Sequence, residues 1–145
     1  MKPVFLTLLL LNSLFSFSQN IPKDVNVISV RGVKFIDVCN ALLDSGYTIE
    51  KKDNDLQTAQ TGIKEYPRYW NATYVFHVRV KDSILYLSAT FTAPPHGELF
   101  SNEPAGNRLN KKGKVLYKSM DGYIFLLLNG FALSFNKEVA YTKSK

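Results

Sequence analysis

Cysteine is nearly missing from this chain: Cys39 is the only one in 145 residues. No intramolecular disulfide can form, so a packed core must hold the fold. Histidine is almost as scarce, with only His77 and His96. Two histidines leave little material for a metal centre or a Ser/His/acid triad. No glycine-rich phosphate loop, no His-Glu-x-x-His pair and no zinc-type cysteine spacing occurs. Asp53-Asn54-Asp55 opens like a calcium loop, but Thr58 and Lys64 stand where such a loop needs its glycine and closing glutamate. The sequence therefore predicts no catalytic constellation, no metal and no cofactor. Cys39 falls on an apolar helical stripe and reads as a small core hydrophobe.

Long hydrophobic runs are also lacking, apart from Val4 to Leu11 near the N-terminus. That run is too short to span a bilayer, which takes about 20 residues. It follows Lys2 and precedes Ser16-Phe17-Ser18, whose small residues occupy the −3 and −1 positions of a cleavage site. These features predict a secretory signal peptide over residues 1–18, cut after Ser18. Removing 18 of the 145 residues leaves 127, and losing Lys2 takes the charge from +6 to +5. The expected localisation is secreted or periplasmic, with no transmembrane anchor in the mature chain. A disulfide-free secreted protein points to a bacterial envelope. Secretion also argues against a nucleic-acid partner for the basic run Arg108, Lys111, Lys112, Lys114 and Lys118, despite its charge.

The whole chain is 46% hydrophobic and 21% charged, and residues 19–145 suit one globular domain. Val25, Val27, Ile28 and Val30 form a β-branched run that reads as a strand. Ile36, Cys39, Leu42 and Leu43 then recur at helical spacing up to Gly46. Tyr47 and Ile49 alternate with Thr48 and Glu50, as in a half-buried strand. Asp53-Asn54-Asp55 makes a turn, and Leu56 to Thr61 returns as a second strand. Residues 72–81 and 84–92 flank Asp82-Ser83. A two-residue turn there pairs Val80 with Leu85, Val78 with Leu87, Phe76 with Ala89 and Tyr74 with Phe91, all apolar and on one face. Arg79 then meets Tyr86, His77 meets Ser88 and Val75 meets Thr90 on the other face. A one-residue slip would destroy that sorting, so pattern and turn specify one register. Residues 94–114 read as a long loop. In residues 119–136, Met120, Tyr123, Ile124, Leu127, Leu128, Phe131, Ala132 and Phe135 make a full helical stripe. Asp121-Gly122 and Asn129-Gly130 compete as hairpin signals. The unbroken apolar run from Tyr123 to Leu128 favours the helix. Glu138 to Thr142 is a short final strand.

The predicted class is α+β: an antiparallel sheet with two helices packed on one face, in the order β-α-β-β-β-β-α. That order resembles the TBP-like, or helix-grip, arrangement. In Phe35 to Thr61 a helix ends in Leu42-x-x-x-Gly46-Tyr47 and leads through a strand to an acidic turn at Asp53. This resembles the opening of periplasmic domains such as those of the lipoprotein BamC. Those domains often carry Gly after the turn, where this chain has Leu56 and Gln57. The resemblance implies a fold and no chemistry.

Two groups of residues are candidates for binding. Tyr66, Arg68, Tyr69 and Trp70 put three aromatics and a cation into a connector that needs none, and such residues anchor partners or stack on sugars. His77, Arg79 and Tyr86 share the polar face of the hairpin. The expected function is a secreted, non-catalytic module for a protein or glycan partner in the cell envelope. The alternative is a small envelope enzyme with a dispersed site on that polar face, using His77, Arg79, Tyr86 and, if its strand lies beside that face, Glu50.

Overall fold

The computed structural model describes residues 21–22, 24–66, 72–93, 101–104 and 120–144. In chain order its elements are β1 (Val27–Arg31), α1 (Phe35–Asp44), β2 (Ile49–Asp53), β3 (Thr58–Thr61), β4 (Lys64–Glu65), β5 (Thr73–Lys81), β6 (Ile84–Ala93), β7 (Ser101–Pro104), α2 (Met120–Leu133) and β8 (Val139–Thr142). Residues 1–18, where a signal peptide is expected, and Arg68, Tyr69, Trp70, His96 and the basic run lie outside the described residues.

The β5–β6 hairpin is the spine. Every pair expected from alternation is present, from Val80 opposite Leu85 to Tyr74 opposite Phe91. Asp82 and Ser83 both take positive φ, 52° and 59°. That is the geometry of a type I′ turn, whose twist matches the flanking strands. The Ser83 carbonyl accepts the backbone N–H groups of Gly32 and Val33, which ties the turn to the end of β1.

The sheet is antiparallel, in the order β2-β3-β5-β6-β1-β8. At the other end of the spine, β4 pairs with β5 and β7 with β6. Neither short strand is visible in the sequence pattern, which reads both segments as connectors. Where β3 leaves β5, the Phe76 N–H donates to Thr61 Oγ1 at 2.9 Å. A buried hydroxyl thus replaces a ladder bond that would otherwise leave a donor unsatisfied.

Both helices cover one face. α1 lies against β2 and β3, while α2 lies against β6 and β1. α1 stops because Gly46, at φ 78°, lets its N–H reach the Leu43 carbonyl and the Tyr47 N–H reach the Leu42 carbonyl. This is a Schellman cap, the physical content of the Leu42-Gly46-Tyr47 pattern. The buried stripe of α1 is Phe35, Val38, Cys39 and Leu42. Ile36 and Leu43, expected in the core, are instead 55% and 54% exposed. Both stripes have helical spacing, and the angle at which the helix docks selects between them.

Residues 120–133 form a helix and not a hairpin. Its buried arc is wider than the expected stripe and adds Phe125, which is fully buried beside Tyr141 at 6.4 Å between ring centroids. Asn129 is also buried, and its Oδ1 accepts the Tyr141 hydroxyl at 2.8 Å. The Asn129-Gly130 pair therefore serves to pin α2 to β8 and does not turn the chain.

Candidate functional site

The face of the sheet away from the helices carries the candidate residues. Strand pairing arranges them in rows. One row runs Lys51, Gln60, His77, Ser88 across β2, β3, β5 and β6. The next runs Asp53, Thr58, Arg79, Tyr86 and continues to Ser29 on β1. These rows line a depression of about 520 Å³. A second depression, of about 320 Å³, adjoins it and is lined by Glu50, Val75, Thr90 and Thr92. Lys51, Gln60 and His77 border both.

His77 sits at the junction, half-buried. Its Nε2 shares a 2.9 Å hydrogen bond with Thr90 Oγ1. Burial, and then the nearby Lys51 ammonium, hold its pKa below the usual histidine value of 6.5. The ring is therefore neutral at pH 7, able to donate from one nitrogen and accept at the other. Its hydrogen-bond partner is a hydroxyl and not a carboxylate.

The side chains of Lys51 and Arg79 make no hydrogen bond or ion pair with any described residue. Asp53 lines the same depression, and its Oδ1 accepts the N–H groups of Asp55 and Leu56, each at 2.9 Å, which shapes the β2–β3 turn. Lys52, one residue from Lys51, points to the helix side, with its ammonium 5.8 Å from the Phe35 ring centroid. Tyr86 stands opposite Arg79 and is 38% exposed. Among the described residues, no group of three His, Cys, Asp or Glu side chains is placed to hold a metal ion.

The structure thus brings His77, Arg79 and Tyr86 together in one concavity. It separates them from Tyr66. That residue, expected in an exposed aromatic cluster, is only 3% exposed. Its ring packs edge-on against Tyr123 at 5.0 Å, and its N–H donates to the Ala72 carbonyl. Tyr66 closes the core next to β4 and offers no surface to a partner. Arg68, Tyr69 and Trp70 lie outside the described residues. Glu50, counted with the polar face only if its strand lay beside that face, does line its second depression.

Sequence reasoning missed Lys51. Alternation puts it on the same side as Ile49, facing the core. The β2–β3 register shifts between Ile49, opposite Thr61, and Lys51, opposite Gln60. Glu50 is the extra residue of a β-bulge, and everything after it changes face. Two lysines followed by an aspartate at an edge strand give no local sign of this. Gln60 and Thr58 were visible only as a weakly patterned strand.

No protein-family model and no curated protein matches the chain. Among solved structures, a TBP-like protein from Parabacteroides distasonis is similar to it. The two are 11% identical, the match covers 77% of this chain and 83% of that one, and the TM-score is 0.31. A likeness at that score carries no argument and offers no link to BamC-type domains. The α+β assignment stands on the strand pairings themselves, an antiparallel sheet with two helices on one face.

Proposed function

We propose that this chain is a secreted, non-catalytic binding module of the cell envelope. In this reading it engages a protein or glycan partner through the open face around His77, Arg79 and Tyr86. The supporting observation is the pairing of an Arg79 guanidinium that has no ion-pair partner among the described residues with a part-exposed Tyr86 ring in a concavity. Arginine and tyrosine are the side chains that most often dominate binding surfaces. Catalysis has less support, because His77 is oriented by a hydroxyl and no carboxylate among the described residues hydrogen-bonds to it. Export rests on the N-terminal pattern of Lys2, Val4 to Leu11 and Ser16 to Ser18. The likeness of Phe35 to Thr61 to BamC-type domains belongs to the same reading, and it brings no ligand with it. Arg68, Tyr69 and Trp70 are kept as a second contact segment on their composition alone.

Site-specific photo-crosslinking tests the reading. A photoreactive phenylalanine analogue is placed at position 86 on the open face or at position 36 on the exposed side of α1. Crosslinked products in the native envelope fraction are then read by mass, whether protein or glycan. Adducts from position 86 and none from position 36 are expected. Adducts from position 36 alone would overturn the open-face assignment.

A further inference from the structure

We propose that the larger depression takes an acidic sugar, a hexuronate or a short glycan bearing one. Its carboxylate would sit between Lys51 and Arg79, with a sugar ring laid against Tyr86. This deepens the open-face reading and rests on it.

The first argument is charge. Lys51 on β2 and Arg79 on β5 reach the depression from either side of β3. Their Cα atoms are about 12 Å apart, from a strand spacing of ~4.8 Å taken twice and a two-residue step of ~6.8 Å. Two long cationic side chains close most of that gap and leave room for one carboxylate. Neither makes an ion pair with a described residue. The Asp53 carboxylate also lines the depression, but its Oδ1 is held by its own turn, so two cations face one carboxylate there and the lining keeps a net positive charge. A guanidinium binds a carboxylate through two parallel hydrogen bonds, so Arg79 suits a planar acid better than a diffuse charge.

The second argument is the neutral lining. Tyr86 lies directly opposite Arg79 in the ladder, and an aromatic ring beside a cation offers a platform for the apolar face of a pyranose. Gln60, Ser88 and Thr58 add an amide and two hydroxyls. His77, uncharged at pH 7, adds an imidazole that both donates and accepts. A ligand rich in hydroxyls uses these groups, whereas a bare inorganic anion uses only the cations. The depression, at about 520 Å³, falls in the size range of small-ligand sites.

The experiment titrates the purified full-domain chain with digalacturonate, with neutral digalactose of the same linkage, and with sulfate. Calorimetry gives affinity and NMR shifts give location. The expected result is digalacturonate binding with shifts at His77, Arg79 and Tyr86. Affinity should fall about tenfold in Arg79→Ala and in Lys51→Ala, as loss of a charge-assisted hydrogen bond implies. It should also fall as salt rises from about 50 mM to about 500 mM. Arg79→Lys, which keeps the charge and loses the fork, should restore only part of the affinity, and melting curves verify that each variant is folded. Equal binding of digalactose, unchanged in Arg79→Ala, would overturn the acid and leave the open face intact. Sulfate binding as tightly as digalacturonate, with Tyr86→Ala changing neither, would overturn the sugar. No shift in the depression with digalacturonate at millimolar concentration would overturn the proposal outright. The position-86 crosslink would then decide separately whether the face binds anything.

Discussion

Phe76→Ala is the sharpest test of how the spine is packed. The Phe76 side chain is fully buried, with ring centroids 4.9 Å from Tyr47 and 5.5 Å from Tyr74. Its cross-strand neighbour is Ala89, too small to fill the space it would leave. A phenylalanine of this kind buries on the order of 150–200 Å² beyond its Cβ. At about 25 cal/mol per Å² that is worth ~4 kcal/mol. Large aromatic truncations in cores cost about 3–5 kcal/mol, so ~4 kcal/mol is the expected loss. Thr90→Ala is the control on the opposite face. It removes one hydrogen bond to a half-buried histidine and should cost less than about 1 kcal/mol. Urea unfolding reads both. With a slope of about 1.5 kcal/mol per M, Phe76→Ala should lower the midpoint by roughly 2–3 M. Domains this size have only about 5–15 kcal/mol to lose, so Phe76→Leu, expected to cost about 1–1.5 kcal/mol, covers the case where the alanine variant fails to fold. Thr90→Ala costing more than Phe76→Ala would mean that the two faces of the hairpin are inverted.

Ser83→Gly should stabilise the protein by about 1 kcal/mol, because Ser83 occupies positive φ and its carbonyl bonds are retained; a lower melting temperature would show that the serine side chain itself supports the turn. A double-mutant cycle of Asn129→Ala and Tyr141→Phe should give a coupling of about 1 kcal/mol, and additive losses would deny that their hydrogen bond ties α2 to β8. His77 has a lowered pKa when folded, so its contribution is complete above its unfolded value of 6.5 and declines as pH falls below that value, where the unfolded chain takes up the proton first. His77→Gln should flatten that decline between about pH 7 and pH 5, measured by urea melts; an unchanged slope would place the pH dependence elsewhere. Intact-mass analysis of the exported protein should show loss of residues 1–18 from the 16.4 kDa chain, and a full-length species in the envelope would refute cleavage.

Much of the candidate site was legible because one part of the chain carries redundant information. Along β5 and β6, period-two alternation and a two-residue turn each imply the same register. His77, Arg79 and Tyr86 therefore fall on one face without any knowledge of distant contacts. The end of α1 was legible for a similar reason. A left-handed glycine followed by an aromatic residue is a local event, complete within one helical turn. In residues 120–133, the non-alternating apolar run correctly outweighed two Asn-Gly-type turn signals, since a buried helix can present apolar side chains all round.

Other features depended on segments remote in sequence. Ile36 and Leu43 share helical spacing with residues of the true core stripe, and only docking against β2 and β3 turned Phe35 and Val38 inward. Tyr66 looked like part of an exposed cluster, but Tyr123, far along the chain, supplies the ring that buries it. The site itself was half hidden for the same reason. Lys51 reaches the open face because pairing with β3 extrudes Glu50 as a bulge and reverses the alternation from that point. Composition and periodicity by themselves determined the class of fold, the register of the spine and three residues of the open face. Packing between distant strands and helices decided which helical stripe is core, which aromatic is buried and where the second cation stands. Periodicity is a property of each segment alone, whereas the face a residue finally occupies is a property of the partner against which its segment packs.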